Sequence, residues 1–485
     1  MKKPVKKMAS QNKTPIKKEP FQKKPFQKES FQNEPSQKDA QFKTGRAVAV
    51  SILSDILESG AYANIALRKT LPLTSLDSRD RAFVTELVNE TLRNLIYIDT
   101  VLNTFSSVPV DKMKPFIRNL LRMSVCQLRH IEKTPESAAV NEAVILAKTH
   151  GYAGLSGFVN GVLRTIVRQP NTPPMPSQGS AEYLALRYSY PIWLAKNLVK
   201  WLGASEAEYF CQSSHQPPPV TILTNTHKTT PAALTTALIS EGVDCAPTAS
   251  SLSDFLTVRN TGDISKLAAF RDGLFIVMDP GAIFSVTAMG LKSNQTVIDL
   301  CAAPGGKSFA AACCMGDTGR VRAFDIYPHR TNLISESMKR LGLTCITPEI
   351  MDATIHDSNL DATADAVLLD VPCSGFGTIR KRPEIKYNRN PSDITDLAQK
   401  QRDMLAIGAR YVKPGGILVY STCTVAREEN IDNIRWFLQH HQFKIRPISL
   451  PQPGEMRFIQ EDDCVQILPG PANDGFFVAA MVKIS

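Results

Sequence analysis

Ten cysteines occur in this chain, yet no two of them stand in a C-x-x-C spacing. That absence argues against a structural zinc site, so no metal is expected. Cys126, Cys211, Cys245, Cys301, Cys313, Cys314, Cys345, Cys373, Cys423 and Cys464 are also too thinly spread over 485 residues for a disulfide framework. They read as reduced thiols, which predicts a cytoplasmic protein. No apolar run is long enough to span a bilayer, and the lysine-rich start lacks the apolar stretch of a secretory signal, so no membrane is expected either. Excess charge is scarce outside one segment. The formal net charge is +10, but residues 1–43 hold twelve lysines against four acids, which leaves +2 for the rest. Basicity therefore points to a polyanionic partner for the tail and says little about the folded part. With 43% hydrophobic and 21% charged residues the composition is that of a globular protein, and the length predicts two or three domains.

Residues 1–43 repeat the phrases FQKKP, FQKES and FQNEP and contain few aliphatic residues. Such a segment cannot offset its ordering entropy by burial and is expected to be a disordered Lys/Gln/Pro-rich tail, either solubilising or in weak contact with RNA. Residues 44–170 turn helical. Ala49, Ile52, Leu53, Ile56 and Leu57 share one helix face, and Val84, Leu87, Val88, Leu92 and Leu95 share another after a start signal at Asp77-Ser78. Further helical stretches follow Pro115 and Pro135, and a fifth ends before Pro170. These five predict an all-α bundle. Arg46, Arg79, Arg81, Arg118, Arg122, Arg129 and Arg164 are either an RNA-facing patch or an ordinary solvated face. Residues 171–280 read as a linker and a small α/β module, with strands near 220–225 and 274–277 and a helix near 230–240. From 281 to 485 strand candidates at 296–300, 321–325, 364–370, 416–421 and 476–482 alternate with helical stretches, the pattern of a doubly wound parallel sheet.

Four motifs carry chemistry. Asp299-Leu300-Cys301-Ala302-Ala303-Pro304-Gly305-Gly306-Lys307 follows an apolar strand and opens a helix. It has too little glycine to cradle a pyrophosphate. It suits a tight turn that holds the methionine end of S-adenosylmethionine (SAM), with the carboxylate near the helix amides. Asp325 ends the next strand, where an acid binds ribose hydroxyls, and Asp352 ends the one after, facing adenine or capping a loop. Asp370-Val371-Pro372-Cys373-Ser374-Gly375 and Tyr420-Ser421-Thr422-Cys423-Thr424 each put a cysteine beyond the carboxyl end of a strand. In a sheet of order 3-2-1-4-5 both thiols meet the SAM loop at the ligand-binding crevice. C5 of cytosine is a poor nucleophile, and a thiolate adding to C6 turns the ring into an enamine that C5 can use to take a methyl group. Asp370 is placed to assist at N3. Spacing alone does not choose between the two cysteines. Arg380, Lys381, Arg382 and Lys386 border this site and are expected to contact phosphates, with an ordinary solvated loop as the competing reading.

DLCAAPGGK, DVPCSG, YSTCTVAREEN and the closing GFFVA (475–479) resemble the RNA cytosine-C5 methyltransferases of the Sun/Fmu family. LLRMSVCQL, PESAAVNEAVILAK and FVNGVLR in the helical part are similar to NusB, an RNA-binding antitermination factor. The combination, over about residues 44–485, is the arrangement of bacterial 16S rRNA methyltransferases. The resemblance implies a NusB-like bundle, a small α/β RNA-binding module and a Rossmann-like SAM-dependent domain acting on 16S rRNA; a monomer is expected, though no residue pattern fixes the oligomeric state. It implies that Cys423 is the nucleophile and that Cys373 assists product release. It further implies SAM contacts from Cys301, Ala302, Ala303, Pro304, Gly305, Gly306, Lys307, Asp325, Asp352 and Asp370, with Lys307 also touching the target base. Two departures stand out: Leu223-Thr224-Asn225 where the family commonly has Arg-Val-Asn, and Met278-Asp279 where it often has Gln-Asp. The competing readings are the same chemistry on tRNA or 23S rRNA, and a non-catalytic RNA-binding assembly factor.

Overall fold

The first apolar stripe, Ala49 to Leu57, sits on a helix whose start is set by Thr44. The Thr44 backbone is extended, its hydroxyl accepts from the Ala47 amide, and α1 (Gly45–Ser59) ends at the left-handed Gly60. The structure is a computed structural model that describes residues 44–131, 135–169, 173–248, 252–450 and 456–484. The expected tail and the first residues of the expected linker lie outside them. Six more helices complete the bundle: α2 (Ala63–Thr70), α3 (Ser78–Arg93), α4 (Leu95–Phe105), α5 (Pro115–His130), α6 (Glu136–Thr149) and α7 (Ser156–Arg168). Asp77 caps α3, accepting from the Asp80 amide at 2.8 Å. Two of the seven do not stand out in the sequence pattern. α2 is short, and α4 comes after α3 with a single non-helical residue, Asn94, between them, so the stripe from Val84 to Leu95 runs across the break. Ile52, Leu53, Val84, Leu87, Leu120, Leu121 and Leu163 are fully buried between the helices.

Three helices come next, α8 (Ala181–Arg187), α9 (Ile192–Leu202) and α10 (Ala204–Ser214). They do not join the small module. Leu184, Leu194, Leu198, Trp201 and Phe210 share a core with Phe376, Ile379, Ile385 and Val425, residues that flank both cysteine motifs. Trp193 and Trp201 close on the buried Phe376 ring at 6.2 Å each. The small module is a four-stranded antiparallel sheet of order β2-β3-β1-β4, with β1 Val220–Thr224, β2 Asp244–Pro247, β3 Phe255–Arg259 and β4 Phe275–Val277. Its Leu223, Phe255, Ile276 and Met278 run into the core of the catalytic sheet.

That sheet contains β5 (Thr296–Asp299), β6 (Arg320–Asp325), β7 (Ile346–Ile350), β8 (Ala364–Asp370), β9 (Val412–Thr422), β10 (Phe443–Arg446), β11 (Arg457–Glu461), β12 (Cys464–Leu468) and β13 (Phe476–Lys483). The parallel half has the order β7-β6-β5-β8-β9, the 3-2-1-4-5 arrangement expected of a Rossmann-like domain. The other half corrects the expectation of an all-parallel sheet. β13 runs antiparallel to β9 and carries β10 and the β11–β12 hairpin, so the sheet is mixed. The hairpin is hard to foresee because its two-residue turn is Asp462-Asp463. Both residues take left-handed φ angles (49° and 58°), as a tight hairpin requires, without the usual glycine. Among the described residues no helix is long and apolar enough to cross a membrane.

Candidate active site

Parallel register brings the chemistry together. Asp370 at the end of β8 is the direct partner of Ser421 on β9. Cys373 and Cys423 therefore leave the sheet at the same edge, beside the loop after β5. Their sulfurs are 3.2 Å apart. The two loops are tied to each other. Ser374 Oγ and Thr424 Oγ1 are 2.7 Å apart, and the Ser374 amide donates to Glu429 Oε2 at 2.9 Å. Glu429 is fully buried and also receives Gln401 Nε2. Sequence reasoning gives Glu429 no role, since its partners lie 28 and 55 residues away. Arg389, also without a role in the sequence reading, donates to the Ser374 and Cys373 carbonyls from the outside.

A third loop closes the ring. The Gly377 amide donates to the Cys423 carbonyl at 2.9 Å, and the Gly475 amide donates to the Gly377 carbonyl at 2.9 Å. A Cβ on Gly377 would lie 2.1 Å from the Gly475 carbonyl oxygen and 2.9 Å from that of Cys423, both backbone atoms. Gly377→Ala is therefore expected to displace the Cys423 backbone. We expect turnover to drop by more than about tenfold, with a lower midpoint in urea unfolding, as for other forced overpacking. Wild-type kinetics in this variant would show that the stitch does not hold the cysteine in place.

The loop between β5 and the helix Gly306–Cys314 turns at Gly305, whose φ is 110°. Beneath it lies the Phe309 ring, 2.3 Å from where a Cβ would sit, so only glycine fits. Cys301, Ala302, Ala303, Pro304 and Gly306 line the space above. Asp299 is buried behind the loop. Ser308 Oγ donates to its Oδ2 at 2.7 Å, while Oδ1 has no partner, and burial pushes the carboxyl up to about 7. Asp325 receives the Tyr327 amide at 3.0 Å, and the Arg330 guanidinium stands 3.6 Å away. Asp352 does cap its loop, with Oδ1 accepting from the Thr354 amide and hydroxyl. Those bonds hold it below the usual carboxylate range. Its side chain lines the same cleft as Asp325.

Lys307 bridges the cofactor loop and the cysteine strands. Its Nζ is 2.6 Å from Asp370 Oδ2, and Ser421 Oγ donates to the other oxygen at 2.9 Å. Burial works against the ammonium, but the facing Asp370 carboxylate outweighs it and holds the lysine above its ordinary value. The sulfurs differ in surroundings. Cys423 is lowered first by a hydrogen bond from Cys373, against burial and Asp370, with help from Arg382 and Lys307. Cys373 is pushed well up by that same bond, by burial and by Glu429.

Two cavities meet here. A cleft of about 490 Å³ runs past Leu300, Asp325, Tyr327, Met351, Asp352 and Pro372. A pocket of about 260 Å³ is lined by Met278, Pro304, Lys307, Thr378, Gly475 and Phe476. Cys301, Ala303, Asp370, Arg382 and Cys423 line both. The larger volume is in the range of a cofactor site. Among the described residues no group of His, Cys, Asp and Glu is placed to hold a metal ion.

The basic run beside the site does something other than expected. Arg380 is buried and donates to the carbonyls of Gly470 and Pro217. Lys381 pairs with Asp279 and Asp474 at 3.0 and 2.8 Å. Lys386 is buried too, donating to the Arg93 and Tyr188 carbonyls at 3.0 Å each, and burial lowers it to about 7. The phosphate-contact reading fails for these three because Arg380 and Lys386 are spent on carbonyls inside the protein, while Lys381, though exposed, is spent on two carboxylates. Arg382 alone faces the cavities, with no carboxylate partner among the described residues. Tyr387 adds hydrogen bonds to the Leu92 and Ser189 carbonyls, so residues 380–387 form the seam with the helical bundle. Several arginines of the suggested RNA-facing patch are likewise engaged within the bundle: Arg118 with Glu58, Arg122 with Asp99, and Arg129 with the Ile166 and Gln169 carbonyls.

Comparison with known proteins agrees with this architecture. Residues 286–482 match the 16S rRNA methyltransferase RsmB/F family, residues 43–168 the NusB family, and residues 190–265 the RsmF/B-like ferredoxin-like domain. The probable ribosomal RNA small subunit methyltransferase B of Bacillus subtilis is 37% identical, covering 90% of this chain and 98% of its own. That of Synechocystis is 32% identical over 91% and 99%. Among solved structures, that of PH0851 superposes with a TM-score of 0.76 at 27% identity, covering 90% of this chain and 99% of its own. NSun6 from Pyrococcus horikoshii shares the fold at a TM-score of 0.52 and 21% identity, over 60% of this chain and 97% of its own. The chain belongs to the RsmB/F family, with a SAM-dependent methyltransferase domain preceded by NusB and ferredoxin-like domains.

Proposed function

We propose that this protein methylates C5 of a cytosine in 16S rRNA through a covalent bond between Cys423 and C6 of the base. The observation that carries the reading is the position of Cys423, which lines both the 490 Å³ cleft and the 260 Å³ pocket and has a second thiol 3.2 Å away. The larger cleft fits SAM. Cys301 and Ala303 of the loop after β5 line it, and Asp325 stands where ribose hydroxyls need an acceptor. Asp352, which lines the same cleft, is the acceptor for the adenine amino group. SAM supplies an electrophilic methyl group when bound.

The target base occupies the smaller pocket, flipped out of its RNA as base-modifying chemistry requires. The Cys423 thiolate bonds to C6, and the displaced electron pair makes C5 nucleophilic toward the methyl group. An N3 proton or hydrogen bond eases that addition. Asp370 in its pair with Lys307 is an acceptor, so the donor at N3 is the Lys307 ammonium, which Asp370 and Ser421 hold in place. Loss of the C5 proton then re-forms the C5–C6 double bond and expels the Cys423 sulfur, with Cys373 near enough to hydrogen-bond it.

Bisulfite mapping of total RNA from cells with and without the gene tests the substrate. One methylcytosine is expected to vanish from 16S rRNA and to return with the wild-type gene but not with Cys423→Ala. Its loss from tRNA or 23S rRNA instead would overturn the substrate, and no loss anywhere would overturn the C5 chemistry.

A further inference from the structure

The mouth of the 490 Å³ cleft includes one residue from outside the catalytic domain. Tyr62, which precedes α2 in the helical bundle, lines it together with Arg382, Ile385 and Arg389. Tyr62 is 42% exposed and its ring is uncommitted, with no aromatic, cationic or hydrogen-bonding partner among the described residues. Its backbone, by contrast, is fixed. The next amide, that of the buried Ala63, donates to Glu384 Oε1 of the catalytic domain at 3.1 Å. Glu384 is itself buried, its other oxygen has no partner, and burial raises its carboxyl. Burying an acid to hold one amide of another domain is costly. What the bond fixes is the backbone beside Tyr62 at the edge of the catalytic cleft.

Lys400 also lines this cleft and, like Arg382, pairs with no carboxylate among the described residues. An exposed aromatic ring sharing a cleft with unpaired cations is the arrangement that binds single-stranded nucleic acid, the ring stacking on a base and the cations meeting phosphates. Resting on the RNA-methylation reading above, we propose that Tyr62 is the stacking platform for a nucleotide next to the flipped cytosine. The NusB-like domain then contributes directly to the active cleft. Arg382, which lines the target pocket as well, is placed to hold the phosphate between the two nucleotides. A base flipped into the 260 Å³ pocket leaves its neighbour unstacked, and Tyr62, in the adjoining cleft that shares Arg382 and Cys423 with that pocket, offers the lost stacking back.

The test uses the full-length enzyme and a 16S rRNA fragment with 2-aminopurine beside the cytosine found by bisulfite mapping, on either side in turn. Binding to wild type is expected to quench the probe at one of the two positions. Tyr62→Ala should lose that quench and raise KM for the RNA about tenfold, the worth of one base–aromatic stack, while kcat and SAM affinity stay unchanged. Tyr62→Phe should behave as wild type, because stacking needs the ring and not the hydroxyl. Unaltered quench and KM in Tyr62→Ala would overturn the proposal. So would a selective loss of SAM affinity, which would make the ring a cover for the cofactor. A wild-type enzyme that quenches the probe in a Tyr62-dependent way but does not methylate the fragment would overturn the proposed function and leave the platform standing.

Discussion

Cys423→Ala is expected to abolish methyl transfer, by about four orders of magnitude or more in kcat, while SAM affinity stays close to wild type. The size reflects the chemistry: without a sulfur at C6 the ring offers no nucleophile at C5. SAM binding survives because the residues proposed to hold the cofactor, from the 301–306 loop to Asp325 and Asp352, do not depend on the Cys423 sulfur. The choice of Cys423 over Cys373 rests first on the hydrogen bond between them, which lowers Cys423 and raises Cys373. Arg382 and Lys307 add to a thiolate at Cys423 against burial and Asp370, whereas burial and Glu429 disfavour one at Cys373. Activity requires the thiolate, so kcat/KM should rise with pH and level off below the ordinary thiol value of about 8.5. Filter binding for SAM and a tritium-release assay across pH check both. If Cys423→Ala stays active and Cys373→Ala is dead, the assignment is reversed.

Much of this site is legible in the sequence because each part is local. A glycine turn after a strand, an acid ending the next strand, and a cysteine just past each of two others are positions along the chain. The Rossmann-like strand order then brings them to one edge. The features that stay hidden in the sequence depend on distant partners. Arg380, Lys381, Arg382 and Lys386 are one basic run on paper. Whether a cation is free, paired or buried is decided by carbonyls and carboxylates elsewhere, such as Pro217, Arg93 and Asp279: two of the four turn inward and an exposed third, Lys381, is paired with acids. Glu429 and Glu384 are similarly unremarkable in sequence, yet each is buried on a backbone amide of another loop or domain. α8 to α10 read as part of the small module because they are short and broken by Tyr190-Pro191 and Gly203. Their partner, Phe376, lies some way down the chain. The net charge misleads in the other direction: it suggests RNA binding by the whole protein but sits mostly in residues 1–43.

Cys373→Ala should leave the first half of the reaction running and stall the second. With both sulfurs 3.2 Å apart, the Cys373 thiol hydrogen-bonds the Cys423 sulfur. That bond stabilises a thiolate, which is what Cys423 must become when it leaves C6. Removing it raises the leaving sulfur's proton affinity, so expulsion slows and the protein–RNA adduct accumulates. It also weakens Cys423 as a thiolate before attack, since this bond is the largest cause of its lowered value. The activity limb in Cys373→Ala should therefore move to higher pH. A denaturing gel of enzyme, SAM and RNA should show a slow-migrating band in this variant, and none in Cys423→Ala or in the double variant. The double variant matters most, because it ties the trapped species to the Cys423 sulfur. A band that persists there would place the covalent bond on another residue. No band in Cys373→Ala, with turnover intact, would mean that the second thiol takes no part in release.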